Sequence, residues 1–203
     1  RILDVACGQG VLCRELVKSH TDVTGVDSSP RLIESAMGYV TPTERKNLRY
    51  YVDDARSLRK LEDQVFDRIV SVLAVQNIDP IEGMFRRFSE LLVPGGTATI
   101  VILHPAFRSP RITGWGEDTG RKLQFRRVDR YMNPMKIPID MHPGQRQRQL
   151  TWTYHRPLET YVSVGAQSGL VIDAMEEWIS DKTSEGKNAK MENLARNEIP
   201  MFL

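Results

Sequence analysis

The chain has 203 residues, 40% of them hydrophobic, and 28 Lys+Arg against 26 Asp+Glu give a formal net charge of +2. That length suits one domain, the hydrophobic fraction excludes a disordered chain, and the near-balance of charge excludes a histone-like tail or an acidic solvating segment. No apolar run approaches the roughly 18 residues that a membrane helix needs. Cys7 and Cys13 make neither a disulfide framework nor a zinc set, a usage that fits a reducing cytosol.

In chain order, residues 2–5 read as a strand. Residues 9–19 read as a helix with Val11, Leu12, Leu16 and Val17 on one side. A strand at 22–26 leads to a helix at 29–39, with Pro30 in its first turn and Leu32, Ile33 and Ala36 facing inward. Strands follow at 48–52 and 66–73. A helix at 80–92 carries Ile81, Met84, Phe85, Phe88, Leu91 and Leu92 at helical spacing. Pro94-Gly95-Gly96 is a turn, and 97–103 is a strand. Strands separated by helices imply βαβ crossovers, a parallel sheet and a three-layer α/β domain.

The pattern breaks after Leu103. Residues 104–148 are rich in proline and glycine and read as loops. A strand at 150–154, a helix at 157–169, a strand at 170–178 and a short polar helix at 190–198 complete the chain. The chain enters a strand directly after Arg1 and closes on strand-like 199–203, so a piece of a longer protein, lacking N-terminal elements, is expected.

Leu3-Asp4-Val5-Ala6-Cys7-Gly8-Gln9-Gly10 follows a strand and opens a helix. Glycines in such a turn let the backbone approach a ligand closely. A dinucleotide fingerprint would place a third glycine where Cys13 stands, and Asp4 would disfavour a pyrophosphate. An acid at that place suits a cationic or amine-bearing ligand. Asp27 ends the next strand, where a carboxylate can accept both hydrogen bonds of a ribose diol.

The run from Asp4 to Gly10 resembles motif I of the class I S-adenosylmethionine-dependent methyltransferases, with Ala6 at the usual first glycine. Val52-Asp53-Asp54-Ala55 resembles the family's adenine-binding motif and Phe66-Asp67-Arg68-Ile69-Val70-Ser71 its motif IV. Leu91-Leu92-Val93-Pro94-Gly95-Gly96 resembles the turn before its fifth strand. The likeness covers 1–103 well and 157–203 through the order of elements, and it is to the small-molecule type, of the ubiquinone/menaquinone-biosynthesis-like kind. It implies a Rossmann-like three-layer αβα sandwich in a single domain, 1–203. Its sheet would be seven-stranded and mostly parallel, with an antiparallel last strand, and an insertion at 104–150 would form a lid after the fifth strand. It implies S-adenosyl-L-methionine as cofactor, with Asp4, Gly8 and Gly10 at the methionine part, Asp27 on the ribose and Asp54 and Ala55 at the adenine. Ala6, Cys7, Ser28, Leu73 and Gln76 complete the cofactor set.

His104, after the fifth strand, is the candidate base, since imidazole titrates near neutral pH. Asn77, Trp115, Tyr131 and His155 are candidates to line the acceptor site. His20 and His142 read as a helix end and a loop, and no His/Cys/carboxylate grouping has metal-ligand spacing, so no metal is expected. The segment after the fourth strand lacks the Asn/Asp-Pro-Pro-aromatic signature of amino-methylating nucleic-acid enzymes.

Charge is unevenly spread. Residues 104–156 hold 11 Lys+Arg and 4 Asp+Glu. There Arg108, Arg111, Arg126, Arg127 and Arg130 either clamp a carboxylate or phosphate or pair with Glu117, Asp118 and Asp129. Trp115, Phe125, Tyr131 and Met132 would give the insertion an apolar lining. The expectation is a small-molecule methyl acceptor, with neither nucleic acid nor membrane as partner and the oligomeric state open. The alternatives are an RNA or protein methyltransferase using the basic insertion and a non-catalytic cofactor-binding module.

Overall fold

The computed structural model describes residues 1–19, 21–140 and 150–203; His20 and His142 lie outside the described residues. The first strands and helices form where the hydrophobic pattern places them. They are β1 (Ile2–Val5), α1 (Val11–Val17), β2 (Val23–Asp27), α2 (Pro30–Gly38), β3 (Leu48–Val52), β4 (Phe66–Val72), α3 (Glu82–Leu91) and β5 (Leu92–Val101). Pro30 begins α2, and the Ser29 hydroxyl accepts from the Leu32 N–H at 3.4 Å, which satisfies one of the end donors.

Five strands form one sheet in the order β3-β2-β1-β4-β5, and every neighbouring pair is parallel. Parallel strands need crossovers, and these are right-handed almost without exception. The chain steps outward from β1 to β3, then returns to β4 and steps the other way. Right-handed connections therefore put α1 and α2 on one face and α3 on the other. β2 is accordingly buried at all five positions.

Two readings of the sequence need correction here. Pro94-Gly95-Gly96 does not precede the fifth strand but interrupts it. Pairing runs from Phe66↔Leu92 to Arg68↔Thr97, so the turn is looped out as a bulge inside β5, with Gly95 at φ 77°. Residues 170–178 do not form a strand. Val171 is 91% exposed, and pairing is limited to Trp178, which makes an isolated antiparallel bridge to Phe202. Phe202 also bridges Leu103, again antiparallel. Asp173, Glu176 and Glu177 lie in that run, and a covered strand would have to desolvate them. Among the described residues the sheet thus holds five strands, not seven.

The chain divides into two compact units, residues 1–101 with 164–171, and residues 102–163 with 172–203. The second unit holds α4 (Pro105–Arg108) and two antiparallel hairpins. One pairs β6 (Thr113–Asp118) with β7 (Leu123–Val128), the other β8 (Met135–Asp140) with β9 (Leu150–His155). It also holds the start of α5 (Leu158–Gln167) and all of α6 (Ala189–Glu198). Where loops were expected, two hairpins form. Ile137, buried in the middle of β8, anchors the second of them.

The core of the first unit sets Leu3, Val5, Val23, Val26 and Ile69 of the strands with Met84, Phe85, Phe88 and Leu91 of α3 among its buried residues. Phe88 is fully buried. Phe88→Ala should cost about 3–5 kcal/mol of unfolding free energy, read from the urea midpoint at unchanged m-value.

Candidate active site

The strand order reverses between β1 and β4, so the chain leaves these two neighbours toward opposite faces. A crevice opens outside their carboxyl ends, and in open α/β sheets that is where ligands bind. The backbone there is unusual. After β1, Ala6, Gly8 and Gly10 have φ of 59°, 55° and 67°; after β4, Leu73 has φ 55°. Ala6 and Leu73 are not glycines, and each left-handed residue costs roughly 1–2 kcal/mol.

The two glycines do different work. A Cβ built on Gly10 would lie 2.1 Å from Tyr50 Oη, whose hydroxyl donates to the Gly10 carbonyl at 3.3 Å. Gly10 is therefore required by packing. A Cβ on Gly8 would meet nothing within 4 Å. Gly8 borders open space that a ligand can enter.

Three acids line the same edge. The Asp27 carboxylate accepts from the Gly8 N–H through Oδ2 and from the Ser29 N–H through Oδ1, both at 2.9 Å. Each oxygen keeps a second lone pair, enough for the two hydroxyls of a diol. Asp4 is 3% exposed and accepts from the Cys13 thiol at 3.1 Å. Burial pushes its carboxyl from 3.8 up to about 6; the Cys13 hydrogen bond opposes this, and the Asp27 charge adds to it. The neighbouring Cys7 thiol, burial and the Asp4 charge hold the Cys13 thiol far above its ordinary range, so it stays a neutral donor. Asp54 is gripped by Arg56, whose Nη2 lies 2.5 Å from Oδ2 and whose Nε lies 3.0 Å from Oδ1. That grip holds the Asp54 carboxyl below its usual range. Arg56 Nη1 also donates to the Asp79 carbonyl at 3.0 Å.

The remaining candidates of this unit lie on the same edge. Cys7 N–H donates to the Val26 carbonyl at 2.9 Å, which draws the loop against β2. Ser28 is exposed and Ala55 is buried. Gln76 Nε2 donates to the Leu73 carbonyl at 2.7 Å, and Asn77 is exposed at the end of a short 3₁₀ turn, Val75–Asn77.

His104, Trp115, Tyr131 and His155 belong to the second unit. His104 Nδ1 accepts from the Ala106 N–H at 3.2 Å and caps α4, so its proton sits on Nε2, which donates to Glu177 Oε1 at 2.7 Å. His155 Nε2 donates to the Tyr131 carbonyl and Nδ1 meets the Ser109 hydroxyl, both at 2.7 Å. The Tyr131 hydroxyl accepts from the Leu158 N–H at 2.8 Å and so holds the start of α5. Trp115 lies under two guanidinium groups, Arg108 and Arg126. Sequence reasoning missed Tyr50, Arg56 and Glu177. Tyr50, an aromatic inside a strand that follows the glycine loop, carried the only local signal.

The chain is similar to known methyltransferases in sequence and in fold. Residues 2–96 match the family described as "Methyltransferase domain". The ubiquinone biosynthesis O-methyltransferase of Coxiella burnetii is 31% identical over 108 residues, covering 53% of this chain and 45% of that protein. The sterol 24-C-methyltransferase of Aspergillus fumigatus is 31% identical over 100 residues, covering 47% of this chain and 26% of that protein. The chain thus spans about half or less of the length of these curated relatives. The crystal structure of an S-adenosylmethionine-dependent methyltransferase from Mesorhizobium loti aligns with all of this chain and 87% of its own, at 25% identity and a TM-score of 0.72. Residues 2–96 thus resemble a methyltransferase domain, and the Rossmann-like parallel sheet that carries them is the fold of the S-adenosylmethionine-dependent methyltransferase from Mesorhizobium loti.

The Asp4 carboxyl makes stability depend on pH. Its folded value, about 6, lies above 3.8, so between these values the native state holds a proton that the unfolded chain has lost. Its stabilising contribution is complete below about pH 4 and is lost as pH rises through 6, a change on the order of 3 kcal/mol. Asp4→Asn should remove this loss. Urea melts at pH 4.5 and 7.5 should show the wild type losing stability relative to the variant as pH rises.

Proposed function

We propose that the chain is an S-adenosylmethionine-dependent methyltransferase acting on a small-molecule acceptor. The observation that carries the reading is the Gly8 loop, open to a ligand and tied by its own N–H to Asp27 at 2.9 Å. The residues present fit the cofactor. Asp27 would hold the ribose hydroxyls, Asp4 the amino end of the methionine part, and Asp54 with Ala55 the adenine edge. Ala6, Cys7, Gly8, Gly10, Ser28, Leu73 and Gln76 would supply the walls. When bound, S-adenosylmethionine supplies an electrophilic methyl group on a cationic sulfur. An ammonium beside Asp4 favours the ionised carboxylate and so offsets the cost of its burial.

The protein's further task is to align the acceptor and take its proton. His104 would do the second through Nδ1, giving up the Ala106 N–H. Glu177, already bonded to Nε2, would then stabilise the imidazolium, as the acid of a triad does. We read 1–203 as one methyltransferase domain in which 104–150 selects the acceptor, with Asn77, Trp115, Tyr131 and His155 near it. The two free thiols, Cys7 and Cys13, suit a reducing compartment such as the cytoplasm.

Calorimetry tests the reading. S-adenosylmethionine and S-adenosylhomocysteine should each bind saturably, and Gly8→Ala and Asp27→Ala should each weaken binding about tenfold or more. No binding to the wild type overturns it. Once a panel of phenolic, amine and carbon-acid acceptors yields turnover, His104→Gln should lower kcat by about 10²-fold or more with cofactor affinity unchanged.

A further inference from the structure

The structure sorts the five arginines of the insertion. Arg127 is paired with Asp129 at 2.8 Å. Arg111 and Arg130 line a cavity of about 660 Å³ to which Asp129 also contributes. Arg108 and Arg126 differ from these. Their guanidinium carbons lie 5.3 and 5.0 Å from the centre of the same ring, Trp115. Arg126 is the cross-strand partner of Trp115 in the β6–β7 hairpin, and Arg108 is the last residue of α4.

Neutral oxygens hold both guanidinium groups in place. Arg108 donates from Nε to the Pro200 carbonyl at 3.1 Å and from Nη2 to the Ile199 carbonyl at 3.2 Å. Arg126 donates from Nε to the Phe107 carbonyl and from Nη2 to the Thr113 hydroxyl, both at 2.6 Å. Among the described residues, Nη1 of each has no partner, and no carboxylate lies within ion-pair distance of either group. The two charges are felt. Burial and the charges of Arg126 and Arg196 draw Arg108 down from its usual range, and burial does the same to Arg126. Arg196 has its own acid, Glu192. Two half-buried cations fixed against one ring without an anion are costly to the folded state.

We infer that Arg108 and Arg126 form a clamp beside Trp115 for a carboxylate or phosphate group, and that this group belongs to the methyl acceptor. The clamp stands on the geometry alone; its assignment to the acceptor rests on the methyltransferase reading. Two planar forks already oriented by carbonyls lose little freedom on binding a planar or tetrahedral anion. Trp115, 39% exposed, leaves ring surface for the apolar body that carries the anion.

The test is titration of the full chain with inorganic phosphate and, separately, benzoate, with ionic strength held constant by chloride. Binding is read by tryptophan fluorescence and by the thermal midpoint. Saturable binding of at least one anion is expected, with a matching rise in midpoint. The stronger of the two identifies the group. Arg108→Gln and Arg126→Gln should each weaken it about tenfold or more, and Arg127→Gln should leave it unchanged. Arg126→Lys, which keeps the charge but not the fork, should weaken it severalfold, and the wild-type midpoint serves if a Gln variant does not fold. No saturable response, equal affinity in the Arg108 and Arg126 variants, or equal loss in Arg127→Gln overturns the clamp. Calorimetry with S-adenosylmethionine separates the two readings. Anion binding without cofactor binding removes the acceptor assignment and leaves the clamp, whereas cofactor binding without anion binding removes the clamp alone.

Discussion

The carboxylate of Asp27 is the tie on which the binding edge depends. Its two oxygens take the N–H groups of Gly8 and Ser29, one from the loop after β1 and one from the start of α2. Both donors are partly buried and would be left unsatisfied without it, at about 1–3 kcal/mol each. The tie is continued on both sides. Cys7 N–H meets the Val26 carbonyl, and Asp53 N–H meets the Asp27 carbonyl at 3.1 Å. The ends of three neighbouring strands are thus stitched in sequence. A loop fixed in this way keeps its left-handed residues without help from a ligand, which is preorganisation in the physical sense.

Asp4 and Asp27 have different hydrogen-bond donors. Asp27 has two backbone donors. Asp4 has a thiol, a weak donor, and desolvation therefore prevails over hydrogen bonding there. The strand ends consequently carry one acid tied to backbone donors and one that holds its charge at a cost to the fold.

How much of this was legible in the sequence follows from distance along the chain. The five strands, the glycine loop and the acids at strand ends are local patterns, and they could be read from residues 1–103. Their partners could not. Tyr50 stands 40 residues from Gly10, Glu177 stands 73 from His104, and Pro200 stands 92 from Arg108. Residues 170–178 looked like a strand because Val171, Ile172 and Trp178 are apolar, yet all three are exposed. In 104–150 the density of proline and glycine hid two hairpins. Met135, Ile137 and Ile139 nonetheless alternate with Lys136, Pro138 and Asp140, a period that marks a strand. Pro-Gly-Gly usually ends an element, so in sequence the bulge in β5 has the look of a boundary.

Arg56 has a mechanical consequence. One planar group holds the Asp54 carboxylate at the end of β3 and the Asp79 carbonyl beyond β4. These two places flank the crevice from either side of β1. Because the guanidinium is rigid and its contacts are short, a displacement of Asp54 would be shared with the stretch just past Asn77. Arg56 is in effect a crossbar that ties the two flanks of the crevice to each other.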